Sequence, residues 1–296
     1  MKKLLTGILS CFLLICVFAG NMTFSIFQNR QLAVNASVGK LSQTVDLPVL
    51  MYHHILKDRN RWNNYVISPD MFEQDLKYIK SNGYTTISIA ELMDFLKNQT
   101  PLPEKPILIT FDDGYESMYE YAFPLLQKYQ MKAVISIIGK YTDLYSSEVT
   151  KSVSYSHVNW EQLRQMQESG LVEIGNHTYD MHHNDGGRKG IRKLESETIA
   201  QYRQKLSEDL GALNQEIAKE LGKSTSIFAY PFCSFSQDSE SILKELGFQV
   251  ILTCEEKVNH LTSGDYTSSD LLKLKRFNRP SSISTEKFFE KFKEPK

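Results

Sequence analysis

ILITFDDGYES, residues 107–117, decides how the rest of this chain is read. Ile107 to Phe111 form a run of the length and type that suits a buried strand. The run leads straight into Asp112, Asp113 and Gly114. Two adjacent carboxylates repel each other, and each is costly to desolvate. Either the pair forms a solvated turn, as Asp and Gly favour, or positive charge sits between them.

Outward from this stretch, short apolar runs alternate with amphipathic helical segments. LPVLMY (47–52) reads as a strand. Ser68 as N-cap and Pro69 at the first helical position open a helix that carries Phe72, Leu76 and Ile79 on one face and stops at Gly83. YTTIS (84–88) reads as a strand, and Ser88 with Glu91 forms a capping box before Leu92, Phe95 and Leu96. ILITF is the next strand. YESMYEYAFPLLQKY is helical, interrupted at Pro124, and AVISII is a strand. Trp160 to Glu168 is a helix, LVEIG a strand, about 195 to 221 a long helix and IFAYPF a strand. SESILKELG is a helix closed by Gly247, and FQVILT a strand. Strands separated by helices predict a mostly parallel α/β sheet. About seven strands in roughly 250 residues predict a (β/α) barrel, incomplete or distorted, as a single domain over 46–296.

The N-terminus departs from this pattern. Lys2 and Lys3 precede LLTGILSCFLLICVFAG, an uncharged stretch over 4–20. This matches the basic and apolar regions of a secretory signal, and at roughly 17 residues it also reaches the lower limit of a membrane span. Residues 1–20 are therefore expected to be a signal peptide or membrane anchor. Residues 21–45, polar and aperiodic, are expected to be a linker. Cleavage after Val34-Asn35-Ala36 gives a secreted protein; without it the segment contacts the membrane. Either way the domain lies outside the cell or on its surface.

Lys and Arg number 34 against 35 Asp and Glu, a net charge of −1. No overall basic field draws the chain to nucleic acid. The 15 tyrosines suit sugar faces and ordinary cores alike. Cys233 and Cys254 lie outside the apolar segment; two cysteines make no disulfide framework, and whether they pair is a matter of geometry.

Chemistry in such a barrel gathers at the C-terminal ends of strands. There the sequence places His53 and His54 after LPVLMY, Asp112 and Asp113 after ILITF, His177 after LVEIG, and Pro231 and Phe232 after IFAY. NHTYDMHH adds His182 and His183. His177 and His182 are spaced i, i+5, which fits a strand end followed by a loop that curls back. Two imidazoles and one carboxylate leave coordination positions open, as a catalytic metal requires. A cation there also relieves the aspartate pair, if one binds it and the other stays free to accept a proton. His157 and His260 have no such neighbours in the sequence.

TFDDGY (110–115), HTYDMH (177–182) and YPF (230–232) together resemble the signature motifs of the polysaccharide deacetylases, the NodB-homology family or carbohydrate esterase family four. LPVLMYHHI and the W-x-x-L-x-x-M-x-x-S-G run from Trp160 resemble the branch that acts on extracellular poly-N-acetylglucosamine. The resemblance covers about 46 to 280. It implies a NodB-type barrel and a hydrolase that removes N-acetyl groups from an N-acetylglucosamine polymer, either exopolysaccharide or cell-wall glycan. It also implies a divalent metal, zinc or a substitute such as cobalt, nickel or manganese. Residue by residue, it implies Asp113, His177 and His182 as ligands, Asp112 as base, and the Phe232 amide, within Tyr230-Pro231-Phe232, as the oxyanion donor.

Four departures stand out. Ala229 occupies the place of an arginine that orients the base. Met181 excludes i, i+4 histidine spacing. Leu274-Lys275-Arg276 is the nearest match to a Leu-x-His that supplies an acid, so His53 is expected in that role, with His54 as the alternative. Cys233 stands where glycine is common. The missing arginine and histidine leave room for a catalytically weak carbohydrate-binding protein, and the same machinery also suits a glycan O-acetyl esterase.

Overall fold

The computed structural model describes residues 42–148, 150–267 and 270–292. The expected signal or anchor segment and residues 21–41 of the expected linker lie outside the described residues. Nine strands form one parallel sheet: β1 (Val49–Tyr52), β2 (Thr85–Thr86), β3 (Pro106–Phe111), β4 (Ala133–Ile137), β5 (Val172–Asn176), β6 (Ile227–Ala229), β7 (Val250–Leu252), β8 (Leu272–Leu274) and β9 (Phe277–Asn278). Their order is β8-β7-β6-β5-β4-β3-β1-β9, with β2 beside β3.

Chain continuity closes the sheet. β8 and β9 are consecutive pieces of one segment, broken at Lys275 and Arg276. The first piece pairs with β7 and the second with β1. This segment is therefore the seventh strand position of a distorted (β/α) barrel, and it joins the two edges. At the break, Asn259 replaces the missing ladder: its Nδ2 donates to Lys275 O (2.9 Å) and its Oδ1 accepts from Lys275 N (2.9 Å). YTTIS, read as one of the seven, contributes only the two-residue β2 at the base of β3. LPVLMY is shortened at Pro48, which lacks the N–H a ladder needs. Ahead of it, Thr44–Leu47 pairs antiparallel with Asn259–Thr262, starting two residues inside the stretch read as linker.

Every residue of β1, β3 and β4 is buried, as expected for strands covered on both faces. Alternate residues serve different clusters. Leu50, Ile109, Phe111 and Ile135 pack outward against Phe72, Leu76, Leu126 and Leu163 of the surrounding helices. Val49, Leu108, Val134, Val250 and Leu274 form a second cluster with Leu92, Phe95 and Leu96 of the helix Ile89–Asn98. Glu173 ties that helix in place, accepting hydrogen bonds from the N–H groups of Ile89 (2.5 Å) and Ala90 (3.1 Å) at its positive end.

Local signals held where they were strong. Ser68 caps the helix Pro69–Ser81 through Met71 N–H, the Ser88–Glu91 capping box forms, and Ile199–Leu221 is the long helix. The stretch around Pro124 splits into a π-helical turn, Met118–Ala122, and the helix Phe123–Tyr129.

Candidate active site

The strand ends open on a cleft of about 570 Å³, lined by His53, Asp112, Asp113, His177, His182 and Phe232 among others. Asp113 and Gly114 both take left-handed conformations (φ +74° and +73°), so the chain turns sharply after β3. Gly114 is required there: a Cβ would sit 3.1 Å from Ile137 Cγ2. The turn brings Asp113 Oδ1 to 3.4 Å from His177 Nε2 and 3.3 Å from His182 Nε2.

The loop between the two histidines is fixed from below. Asn176, fully buried, accepts from Thr178 N–H (2.8 Å) and donates to Leu210 O on the long helix (3.0 Å). Asp209 on the same helix accepts from the N–H groups of Tyr179 and Asp180, 2.8 Å each. Those bonds curl the loop back, which is how an i, i+5 pair meets at one point. His183 points elsewhere and pairs with Asp185 at 2.5 Å.

The donor set fits a divalent cation. One ligand atom from each of Asp113, His177 and His182 lies within 4.8 Å of the others, and two imidazoles with one carboxylate is an open-site set. His177 Nδ1 lies 2.9 Å from Ala229 O, a bond that leaves Nε2 as the lone pair facing Asp113. Burial lowers the His182 imidazole to about 4, so it is unprotonated at neutral pH, as a ligand must be. Burial acts the same way on His177, but the hydrogen bond and charge of Asp113 outweigh it and raise its proton affinity. Positive charge is favoured at this point.

Asp112 is held differently. Arg276, fully buried at the break between β8 and β9, donates from Nη1 and Nη2 to Asp112 Oδ1 and Oδ2, 2.8 Å each. Its remaining donors reach Thr253 O (2.7 Å) and Thr110 Oγ1 (3.2 Å). Burial pushes the Asp112 carboxyl up, but the Arg276 guanidinium and neighbouring His177 outweigh it and hold it below the ordinary carboxylate range. An arginine does face Asp112, but it is Arg276 rather than one at position 229, 47 residues earlier.

The structure separates the two candidate acids. His54 has both ring nitrogens engaged, Nδ1 with Ser117 Oγ (2.7 Å) and Nε2 with Ser154 O (3.3 Å), and it stacks on Tyr115. His53 lines the cleft, and its buried Nδ1 has no partner. Burial lowers its proton affinity, against the pull of Asp113 and Asp112.

Phe232 sits in a tight turn with φ +52°, its ring 4.3 Å from that of His182. Among the described residues, its N–H donates to no protein acceptor. Pro231 is buried under the histidine loop, where Gly190 passes so close that a Cβ would meet Pro231 O at 2.8 Å. Tyr230 is buried with Phe228, Ile242 and Phe248, and stacks on Phe235. Tyr230 and Pro231 thus shape the turn by packing. Cys233 is bonded to Cys254, beyond the end of β7.

His157, which has no company in the sequence, has much in the fold. It is 7 % exposed and lies between Tyr115, Tyr141 and Tyr145. Burial lowers it to about 4 from an ordinary value of 6.5. The unfolded chain therefore takes up the proton first, and stability present above pH 6.5 is lost as the pH falls to 4. At about 1.4 kcal/mol per pH unit, the loss approaches about 3 kcal/mol. Urea unfolding at pH 7 and at pH 4.5 should show a smaller difference for His157→Phe than for the wild type; equal differences would refute the linkage. His260 is exposed and pairs with Asp46 at 2.6 Å.

A family model described as polysaccharide deacetylase matches residues 99–251. Poly-beta-1,6-N-acetyl-D-glucosamine N-deacetylase of Escherichia coli (strain K12) is 27% identical over 203 residues, covering 62% of this chain and 30% of that protein. The protein of the same name from Staphylococcus aureus (strain MRSA252) is 28% identical over 204 residues, covering 69% and 66%. The chain thus spans less than a third of the first relative and just under two thirds of the second. The solved structure of IcaB from Ammonifex degensii superposes with a TM-score of 0.64 at 31% identity, covering 78% of this chain and 90% of that one. With more than half its length matched by the family model and the motif residues gathered in one cleft, the chain belongs to the polysaccharide deacetylase family.

Proposed function

We propose that the chain is a zinc-dependent hydrolase that removes N-acetyl groups from a β-linked N-acetylglucosamine polymer outside the cell and releases acetate. The observation that carries this is the meeting of Asp113, His177 and His182 beside an Asp112 that Arg276 keeps ionised. When bound, a divalent ion of this ligand type supplies Lewis acidity to an acyl oxygen and lowers the pKa of water to about 7. Asp112 accepts the proton of the attacking water. The free Phe232 N–H donates to the oxygen that gains charge. His53, with an uncommitted nitrogen, protonates the departing amine. Tyr65 and Phe232, 57 % and 40 % exposed on the cleft wall, offer faces to neighbouring sugar rings.

The relatives' names support N-acetylglucosamine polymer as substrate. The apolar segment after Lys2 and Lys3 supports export by a signal peptide or anchor. The Cys233–Cys254 bond supports an oxidising destination. A weak binder was suggested by the missing arginine and the missing late histidine; Arg276 supports Asp112 in place of the first. Acetate release from an N-acetylglucosamine oligomer tests the reading. It should stop when a chelator strips the metal and return when zinc is added. No acetate from the zinc-loaded protein would overturn it.

A further inference from the structure

The disulfide lies in the wall of the cleft itself: Cys233 and Cys254 both line it. Cys233 directly follows the residue whose N–H is free. Phe232 and Cys233 are consecutive non-glycine residues in left-handed conformations, φ +52° and +56°. Each is strained and persists only where its surroundings hold it. The turn has little of its own to do so. Its backbone bonds are Cys233 N–H to Tyr230 O (3.2 Å) and Ser234 N–H to Pro231 O (3.0 Å). Phe232 and Cys233 are exposed, so no core packs over them. Packing reaches the turn at Tyr230, at Pro231 and at the Phe232 ring beside His182, and the restraint on Cys233 itself is covalent. Cys254 follows β7, the strand paired in register with β6, and the bond ties the turn to it at a Cα–Cα distance of 5.8 Å.

We propose that the Cys233–Cys254 disulfide is a positioning element for catalysis: it holds the Phe232–Cys233 turn in its left-handed form, so that the Phe232 N–H faces the reacting acyl oxygen. This rests on the reading of the chain as a deacetylase. It also gives Cys233 a purpose where glycine would otherwise serve. Glycine adopts this conformation without strain; a cysteine must be fastened. The bond is open to thiols from solvent, so reduction should disarm the site while leaving the barrel folded. A thiol reductant such as dithiothreitol attacks through its thiolate, supplies two electrons and two protons, and closes to its own cyclic disulfide. Cys233 and Cys254 are left as thiols.

Three forms of the full chain separate this from simple stabilisation. Cys233→Ala/Cys254→Ala should lose about tenfold or more in kcat on an N-acetylglucosamine oligomer, with KM within about twofold, because a donor used in the transition state is lost. Cys233→Gly/Cys254→Ala should recover most of that kcat. Wild type treated with dithiothreitol, then freed of it and reloaded with zinc, should resemble the alanine variant; the glycine variant should not respond. A cross-link that only stabilises would lower Tm in both variants and leave kcat alike, which would overturn the proposal, as would full kcat in the reduced wild type. The backbone amide signal of Phe232 in nitrogen-15 NMR is read without turnover. It should move on reduction of the wild type and stay in place in the glycine variant; an unmoved signal overturns the proposal. Were oxidised wild type to release no acetate, the deacetylase reading would fall, and the NMR result would still decide whether the bond holds the turn.

Discussion

Asp112→Asn should bind zinc as the wild type does and release acetate about 10²- to 10⁴-fold more slowly, the range for loss of a positioned general base. Asp113, His177 and His182 meet without any contribution from Asp112, so metal content should not change. Arg276 would still find an amide oxygen to donate to. His53→Ala should fail in a different way. Its turnover of the N-acetyl amide should fall by a similar order, because an amine leaves poorly without a proton. An aryl acetate, whose leaving group needs none, should be hydrolysed at close to the wild-type rate. Asp112→Asn should be slow on both substrates, since both need activated water. Zinc content by elemental analysis, with acetate release from the two substrates, checks the pair. An Asp112→Asn protein with near-normal turnover would end its assignment as base. Equal losses on amide and ester in His53→Ala would end the assignment of the acid.

Arg276→Met should be the most destabilising single change near the site. It leaves Asp112, 2 % exposed, as a buried carboxylate without its bidentate partner. Removing one member of such a pair costs about 3 to 5 kcal/mol. At roughly 2 to 4 °C per kcal/mol for a domain of this size, Tm should fall by about 10 °C. With the guanidinium gone, burial dominates and the carboxyl titrates higher, so any residual activity should need a higher pH than in the wild type. Arg276→Met/Asp112→Asn should recover part of the lost Tm, because the uncompensated charge goes with its partner. Calorimetry of the three proteins checks this. An Arg276→Met protein that melts with the wild type would show the pair to be energetically idle.

How much of this was legible follows from what each feature depends on. The helix starts at Ser68 and Ser88 are local chemistry, set within four residues, and they read correctly. The meeting of Asp113, His177 and His182 was readable because Asp113 and His177 stand at the ends of apolar strands and His182 follows His177 in the same loop. Arg276 was not, because its partner lies 164 residues away and its own segment changes partners midway. The same discontinuity hid the last strand position, whose two pieces are three and two residues long. The pairing of Cys233 with Cys254 needed the alignment of β6 with β7. His157 was passed over because its tyrosine neighbours come from two other segments of the chain, Tyr115 after β3 and Tyr141 with Tyr145 on the helix Gly139–Ser147.

Barrel closure and the pairing of Asp112 are one event, since both wait on residues 272–278. Until that segment is made, every earlier strand can form while Asp112 still lacks its counter-ion. A chain stopped short of it would carry Asp113, His177 and His182 but leave the buried Asp112 carboxylate without its partner.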